Sequence, residues 1–445
     1  MTEKETRSKL LIFSEKHPPR MTYIFNLILK DILGLSPVFT SDAEEFKASP
    51  LPKMSYGFQN IDDEFFVAAD NLLFERGISD VTVSVSKYKE LPCFFTTYHK
   101  KSAFPFDIFA ASFYLVSRYE EYLPFLKDKY GRFDANQSLA YKHGFLYKPL
   151  VNIWANDLGD KLLSLFPELQ IKKRHFRYLP TIDIDAAYAF KQKGYLRTIG
   201  GYLKDLKTGD FRNLMERTRV LRGRKKDPFD SFDYIFDLHR KFNLEPIFFV
   251  LFADYGTNDK NLPTFNRNFQ SLVRRLGDYG EIGIHPSFNS NFHKNKLSKE
   301  IAHLSRVVHS EITKSRQHFL MLSMPDTYNN LIDNGIEEDY SMGFASKAGF
   351  RAGICSEFYF YNLEYEMVTP LKINPFTYME GSFKDYMNLE PEQALEEIKK
   401  LMDEVKAVGG TFISLWHNES LGGEKRWKGW PEIYEQSLEY AAEML

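Results

Sequence analysis

Thr181-Ile182-Asp183-Ile184-Asp185 sets two acids two positions apart, directly after the β-prone run Phe176-Arg177-Tyr178-Leu179-Pro180. Alternate side chains of a strand face the same way, so Asp183 and Asp185 share a face with Cα atoms about 6–7 Å apart. At that spacing one carboxylate can hold a metal ion while the other takes a proton from the water it activates. The plain alternative for Asp185, which precedes Ala186-Ala187-Tyr188, is a helix N-cap.

Downstream of this pair the chain alternates strand and helix. Helical periodicity is expected over 231–243, 265–276, 297–312 and 390–408, and strand character over 245–252, 281–285, 318–322 and 411–416. Repeated β-then-α units imply a parallel sheet, open or closed, covered by helices. The basic run Arg217 to Lys226 reads as a solvated insertion between helices, with a phosphate site as its alternative. Upstream, Asp80-Val81-Thr82-Val83-Ser84-Val85 alternates like a strand, and 107–122 reads as a helix with the solvated end Ser117–Tyr122. The change of rhythm divides the chain into a smaller mixed α/β unit, 1–173, and an α/β unit, 174–445.

Bulk properties narrow the function. At 445 residues two domains are expected. A net charge of -2 argues against electrostatically driven nucleic-acid binding. The two cysteines, Cys93 and Cys355, lie too far apart in sequence for zinc-knuckle spacing. Met1–Arg7 lacks the apolar core of a signal peptide, and Tyr23–Leu29 is too short to span a bilayer. A cytoplasmic protein is therefore expected, with no membrane or nucleic-acid partner; the oligomeric state stays open.

Suggestive polar residues fall at the carboxyl ends of the expected strands, where α/β sheets build their sites. Asp183 and Asp185 end the first, His285-Pro286-Ser287 follows another, and Trp416-His417-Asn418-Glu419 closes the last. Arg351 follows Gly349-Phe350. Singly, each has a structural reading: His285 and His417 as hydrogen-bonded strand-end residues, Arg351 as a partner of Asp339 or Glu357, and His318 as a core histidine. Together they suit a metal-dependent hydrolase.

At these residues the pattern resembles the polysaccharide deacetylase family (the NodB-homology domain, carbohydrate esterase family four). Thr181-Ile182-Asp183-Ile184-Asp185 is similar to its opening Asp-x-Asp strand end. His285-Pro286-Ser287-Phe288-Asn289 is similar to its His-(Ser/Thr)-x-x-His segment, and Leu415-Trp416-His417 to its closing Leu-x-His. The resemblance covers about Lys173 to Leu445 and implies a distorted (β/α) barrel. It also implies roles: Asp183 as general base, Asp185 and His285 as ligands of a divalent metal, expected to be zinc, and His417 as general acid. Arg351, in Phe350-Arg351-Ala352-Gly353, would orient the base.

One position departs from the pattern. The second metal histidine is expected four residues after His285, where Asn289 stands, and an amide oxygen is a poor zinc ligand. Three readings follow: Asn289, Ser287 or His293 substitutes; a harder, oxygen-preferring metal binds; or the site is degenerate and the protein only binds glycan. The expected activity is removal of acetyl groups from an N-acetylated carbohydrate. Ser287, Trp416, Tyr340 and Asp339 are candidate substrate contacts, with Tyr328 a further aromatic. The rivals are a non-catalytic glycan- or protein-binding relative and a hydrolase of small cyclic or linear amides.

Overall fold

The computed structural model describes residues 8–61 and 65–445. Strands β1 (Lys9–Phe13), β2 (Ser36–Thr40), β3 (Lys53–Gly57) and β4 (Phe65–Ala68) form a parallel sheet in the order β2-β1-β3-β4. β1 and β4 are short apolar runs, Leu10 to Phe13 and Phe65 to Ala68, buried throughout. Such runs suit a parallel sheet covered on both faces.

The strand expected at Asp80–Val85 does not form. Val81, Val83 and Val85 pack against the core, but their backbone joins no ladder. The hairpin lies next along, β5 (Ser86–Tyr88) against β6 (Leu91–Cys93). The helix expected over 107–122 runs from Ile108 to Val116 and is capped by Asp107, whose carboxylate accepts from the Phe109 and Ala110 N–H groups. Its tail is not solvated. Arg118 adopts a left-handed backbone (φ 54°), and Ser117, Arg118, Tyr119 and Glu121 are buried.

The second sheet has nine strands. They are β7 (Arg177–Ile184), β8 (Ile247–Val250), β9 (Glu281–Ile284), β10 (Lys314–Ser315), β11 (Glu338–Asp339), β12 (Phe358–Asn362), β13 (Met367–Ile373), β14 (Tyr378–Met379) and β15 (Thr411–His417). Their order is β12-β13-β11-β10-β9-β8-β7-β15-β14, and every pairing is parallel except β12 with β13. Helices Phe232–Lys241, Arg267–Gly277, Lys294–Val308 and Pro391–Ala407 connect the strands, so this part is mixed α/β with a largely parallel sheet.

The sheet curls. Ile247 and Phe249 of β8, Leu320 and Tyr340 beyond β10 and β11, and Ile413 and Leu415 of β15 pack into one inner cluster. In a flat sheet with strands about 4.8 Å apart, β15 and β11 would stand too far apart to share it. The curl brings the carboxyl ends of β7, β9, β10 and β15 around one mouth.

Two expectations about loops need correction. Residues 318–322 are not a strand: the ladder stops at Ser315, His318–Leu320 is a 3-10 turn, and Phe319 and Leu320 have φ of 60° and 51°. The basic run is not a solvated insertion throughout. It begins inside the helix Phe211–Leu221, where buried Arg217 pairs with Asp205 at 2.9 Å, and Lys225 pairs with Glu216 at 2.8 Å.

The first part of the chain is tied to the nine-stranded part by buried ions. Glu121 accepts from Arg118 at 2.7 Å and pairs with Arg351 at 2.6 Å, while Arg20 pairs with Glu366 at 2.5 Å. Gly353 (φ 63°) lies against Leu115, where a Cβ would collide.

Candidate metal and acid–base site

β7 carries the buried Asp183 one residue from its end, and the half-exposed Asp185 follows the strand directly. In register, Asp183 pairs with His417 of β15 on one side and Phe249 of β8 on the other. This parallel pairing brings a carboxylate and an imidazole from distant sequence to one mouth. Asp183 Oδ1 accepts from Arg316 Nη1 at 3.1 Å, and its Oδ2 lies 3.8 Å from His285 Nε2.

Asp185 faces three imidazoles. Its Oδ1 is 3.2 Å from His285 Nε2, and its Oδ2 is 3.5 Å from His318 Nε2 and 3.9 Å from His417 Nε2. Asp185, His285 and His318 each bring one ligand atom into a group within 4.8 Å of one another. Supporting partners fix the two rings. His285 Nδ1 lies 2.5 Å from the Arg316 carbonyl, which can only accept, so Nδ1 carries the hydrogen and Nε2 turns a lone pair inward. His318 Nδ1 lies 3.0 Å from Asp259 Oδ1 and donates in the same way. An imidazole bonded to a carbonyl or carboxylate at one nitrogen is the usual setting of a metal-ligating histidine. Asp185 Oδ1 is buried and has no hydrogen-bond partner among the described residues. Two imidazoles and one carboxylate, an oxygen of which has no other partner, fit a divalent cation.

The charges agree with this reading. Burial pushes the Asp185 carboxyl up, but His318, His285 and His417 together outweigh it and hold it well below the usual carboxylate range. Burial pushes His318 down, yet Asp185 and Asp259 raise it to about 9. A field that holds a proton so firmly also favours a metal cation, and the two compete for one place.

His417 has its own support. Its Nδ1 lies 2.8 Å from Glu380 Oε1, and Glu380 also accepts from the His417 backbone N–H at 3.1 Å. Burial lowers this imidazole, but Glu380, then Asp185 and Asp183, raise it to about 10. Its Nε2 is left facing a cavity of about 280 Å³ also lined by Asp183, Asp185, His285 and His318.

Several expected site residues stand elsewhere. Asn289 does not line this cavity; its amide nitrogen lies beside Gly256, and His318, from a different strand end, completes the cluster. Arg351 does not orient Asp183. It is paired with Glu121 and donates to the Gly343 carbonyl, and Arg316 holds Asp183. Ser287 is buried and donates to Glu300 Oε1 at 2.6 Å. Asp339 accepts from Ser315 and Ser341, and the Tyr340 hydroxyl donates to Glu338. Trp416 is buried with its indole N–H on the Tyr378 hydroxyl, and Tyr328 is buried as well. None of these five is available as an open substrate contact. Reading a strand through 318–322 hid His318 and Arg316: with the strand ended at Ser315, both fall at a strand's carboxyl end, as the other site residues do. No sequence signal marked Glu380.

A model of a family of unknown function (DUF7033) matches residues 10–167. No curated protein matches the chain. Among solved structures it is similar to a presumptive polysaccharide deacetylase from Mycobacterium smegmatis, at 13% identity over 60% of this chain and 85% of that one, with a TM-score of 0.40. It is similar to Puue allantoinase at 11% identity over 60% and 83%, with a TM-score of 0.39. It is also similar to BA3943 of Bacillus anthracis, a CE4 family pseudoenzyme, at 11% identity over 60% and 62%, with a TM-score of 0.26.

Proposed function

We propose that the chain hydrolyses the acetamide of an N-acetylated carbohydrate, using a divalent metal, zinc by its donor set, on a distorted (β/α) barrel. The observation that carries this reading is the convergence of Asp183, Asp185, His285, His318 and His417 on one cavity, each imidazole held by its own partner. A cation held by Asp185, His285 and His318 would supply Lewis acidity, polarising the amide carbonyl and acidifying water.

The chain's own groups supply the rest. Asp183, held by Arg316, accepts the proton of the attacking water at Oδ2, the oxygen turned toward His285. His417 Nε2 gives a proton to the departing nitrogen while Nδ1 stays on Glu380, so a single tautomer is maintained. Leu320, Ala345, Met379 and Leu415 give the same cavity an apolar side suited to a methyl group.

The experiment is acetate release from N-acetylglucosamine oligomers by the zinc-loaded full chain, beside Asp183→Asn and His417→Asn. Release that both substitutions abolish supports the reading. Zinc bound without release from any acetamide would leave a glycan-binding protein, and release only from small cyclic or linear amides would change the substrate class.

A further inference from the structure

A second cavity, of about 490 Å³, opens beside the first, and Glu419, Arg426 and Trp427 line both. Phe190, Phe229 and Trp427 give it aromatic sides, and Lys193 also lines it, two residues before the helix Tyr195–Lys207. The other cations of this lining are answered. Lys425 pairs with Glu216 at 3.0 Å, and Arg426 with Asp385 at 2.9 Å and Glu419 at 3.6 Å. Lys193 has no hydrogen bond or ion pair among the described residues.

The acids near Lys193 have other partners: Glu424, which also lines the cavity, pairs with Lys225 at 3.0 Å. Asp227 accepts from the backbone N–H groups of Ala189, Phe190, Lys191 and Phe229, and Glu419 accepts from the Trp427 indole at 3.0 Å. Burial, then the neighbouring Arg197, push the Lys193 amine down to about 8. Lys193 is half-buried, Asp227 and Glu419 attract its ammonium without a direct ion pair, and an incoming carboxylate would add the direct partner it lacks.

We propose that this second cavity seats a carboxylate-bearing sugar next to the N-acetylated one, with Lys193 as counter-ion and the three aromatic side chains against the ring. The assignment rests on the amide-hydrolase reading of the first cavity. One cation without a direct partner matches a monoanion, whereas a phosphate dianion would meet no second such cation among the described lining residues.

The test is calorimetric titration of the full chain with oligomers alternating N-acetylglucosamine and glucuronic acid, against neutral N-acetylglucosamine oligomers of equal length. The acidic oligomer is expected to bind about tenfold more tightly. Lys193→Met, which keeps the apolar stem, removes that preference without weakening the neutral oligomer, and Lys193→Arg retains it. Equal binding, no binding of either oligomer, a preference that survives Lys193→Met, or stronger binding of a 6-phosphorylated oligomer would each overturn the assignment. Acetate release is followed in parallel. Release without an acidic preference sinks this assignment alone, and the preference without release sinks the hydrolase reading alone.

Discussion

His318 Nε2 stands 3.5 Å from Asp185 Oδ2 while its Nδ1 stands 3.0 Å from Asp259 Oδ1, so one imidazole joins two carboxylates from different loops. On the proposed reading His318, not Asn289, is the third ligand. His318→Ala and Asp185→Ala are expected to lose stoichiometric zinc, and Asn289→Ala to keep it. Asp259→Asn removes only a supporting partner and should weaken zinc about 10–100-fold. Elemental analysis after dialysis against graded zinc buffers reads all four; zinc retained by His318→Ala would refute the ligand set.

Asp183 and Asp185 are separable by experiment although they share a strand end. Asp183→Asn should lower kcat by about 10²–10⁴, the usual contribution of a general base, with zinc stoichiometry unchanged. Arg316→Met removes the guanidinium paired with the buried Asp183 and should cost about 3–5 kcal/mol, read by urea unfolding. An Arg316→Met protein as stable as the parent would mean that Asp183 does not depend on this pair.

Much of the site could be read from the chain because each strand that carries it ends in an unusual residue. Asp183, Asp185, His285 and His417 each follow an apolar or β-branched run, and period-two alternation marks such ends well. His318 was hidden by the two-residue strand β10, too short to show any period, followed by the apolar run Phe319-Leu320-Met321-Leu322 that mimics a strand. Arg351 misled because Phe350-Arg351-Ala352-Gly353 suits the sequence pattern, while its partner Glu121 lies 230 residues away and no local pattern reports such a pairing. The first sheet was missed for a related reason: its strands are four or five residues long, and their ladders join segments separated by helices and loops.

The Glu121 cluster bears on how the two parts of the chain fold. Glu121→Ala would leave Arg118 and Arg351 buried without their shared carboxylate, at a cost of about 3–5 kcal/mol. We expect a fragment spanning 174–445 to be poorly soluble, because it would expose the apolar surface, Tyr361 and Gly353 within it, that packs on Tyr23, Phe113 and Leu115. Sedimentation and thermal unfolding of that fragment test this. A monomeric fragment unfolding at the temperature of the full chain would show that 1–173 contributes no stability to it.

Glu300, on the helix Lys294–Val308, couples stability to pH. Its carboxylate accepts from the Ser287 hydroxyl at 2.6 Å and the Ser287 N–H at 3.0 Å, next to Pro286 and His285. Burial pushes this carboxyl up to about 7, more than those hydrogen bonds lower it. Below the unfolded value of about 4.3 both states keep the proton, so no penalty operates. Between there and about 7 the unfolded chain releases its proton first, and folded stability falls; above that window both states are ionised and the penalty is constant. The full effect is on the order of 3–4 kcal/mol, about 1.4 kcal/mol for each pH unit of the window. Glu300→Gln keeps an acceptor for Ser287 and removes the ionisation. Its stability relative to the parent should therefore rise by that amount as pH increases through the window. Urea unfolding of both proteins at a series of pH values measures the difference, and a difference independent of pH would show that Glu300 ionises as readily in the folded chain as in the unfolded one.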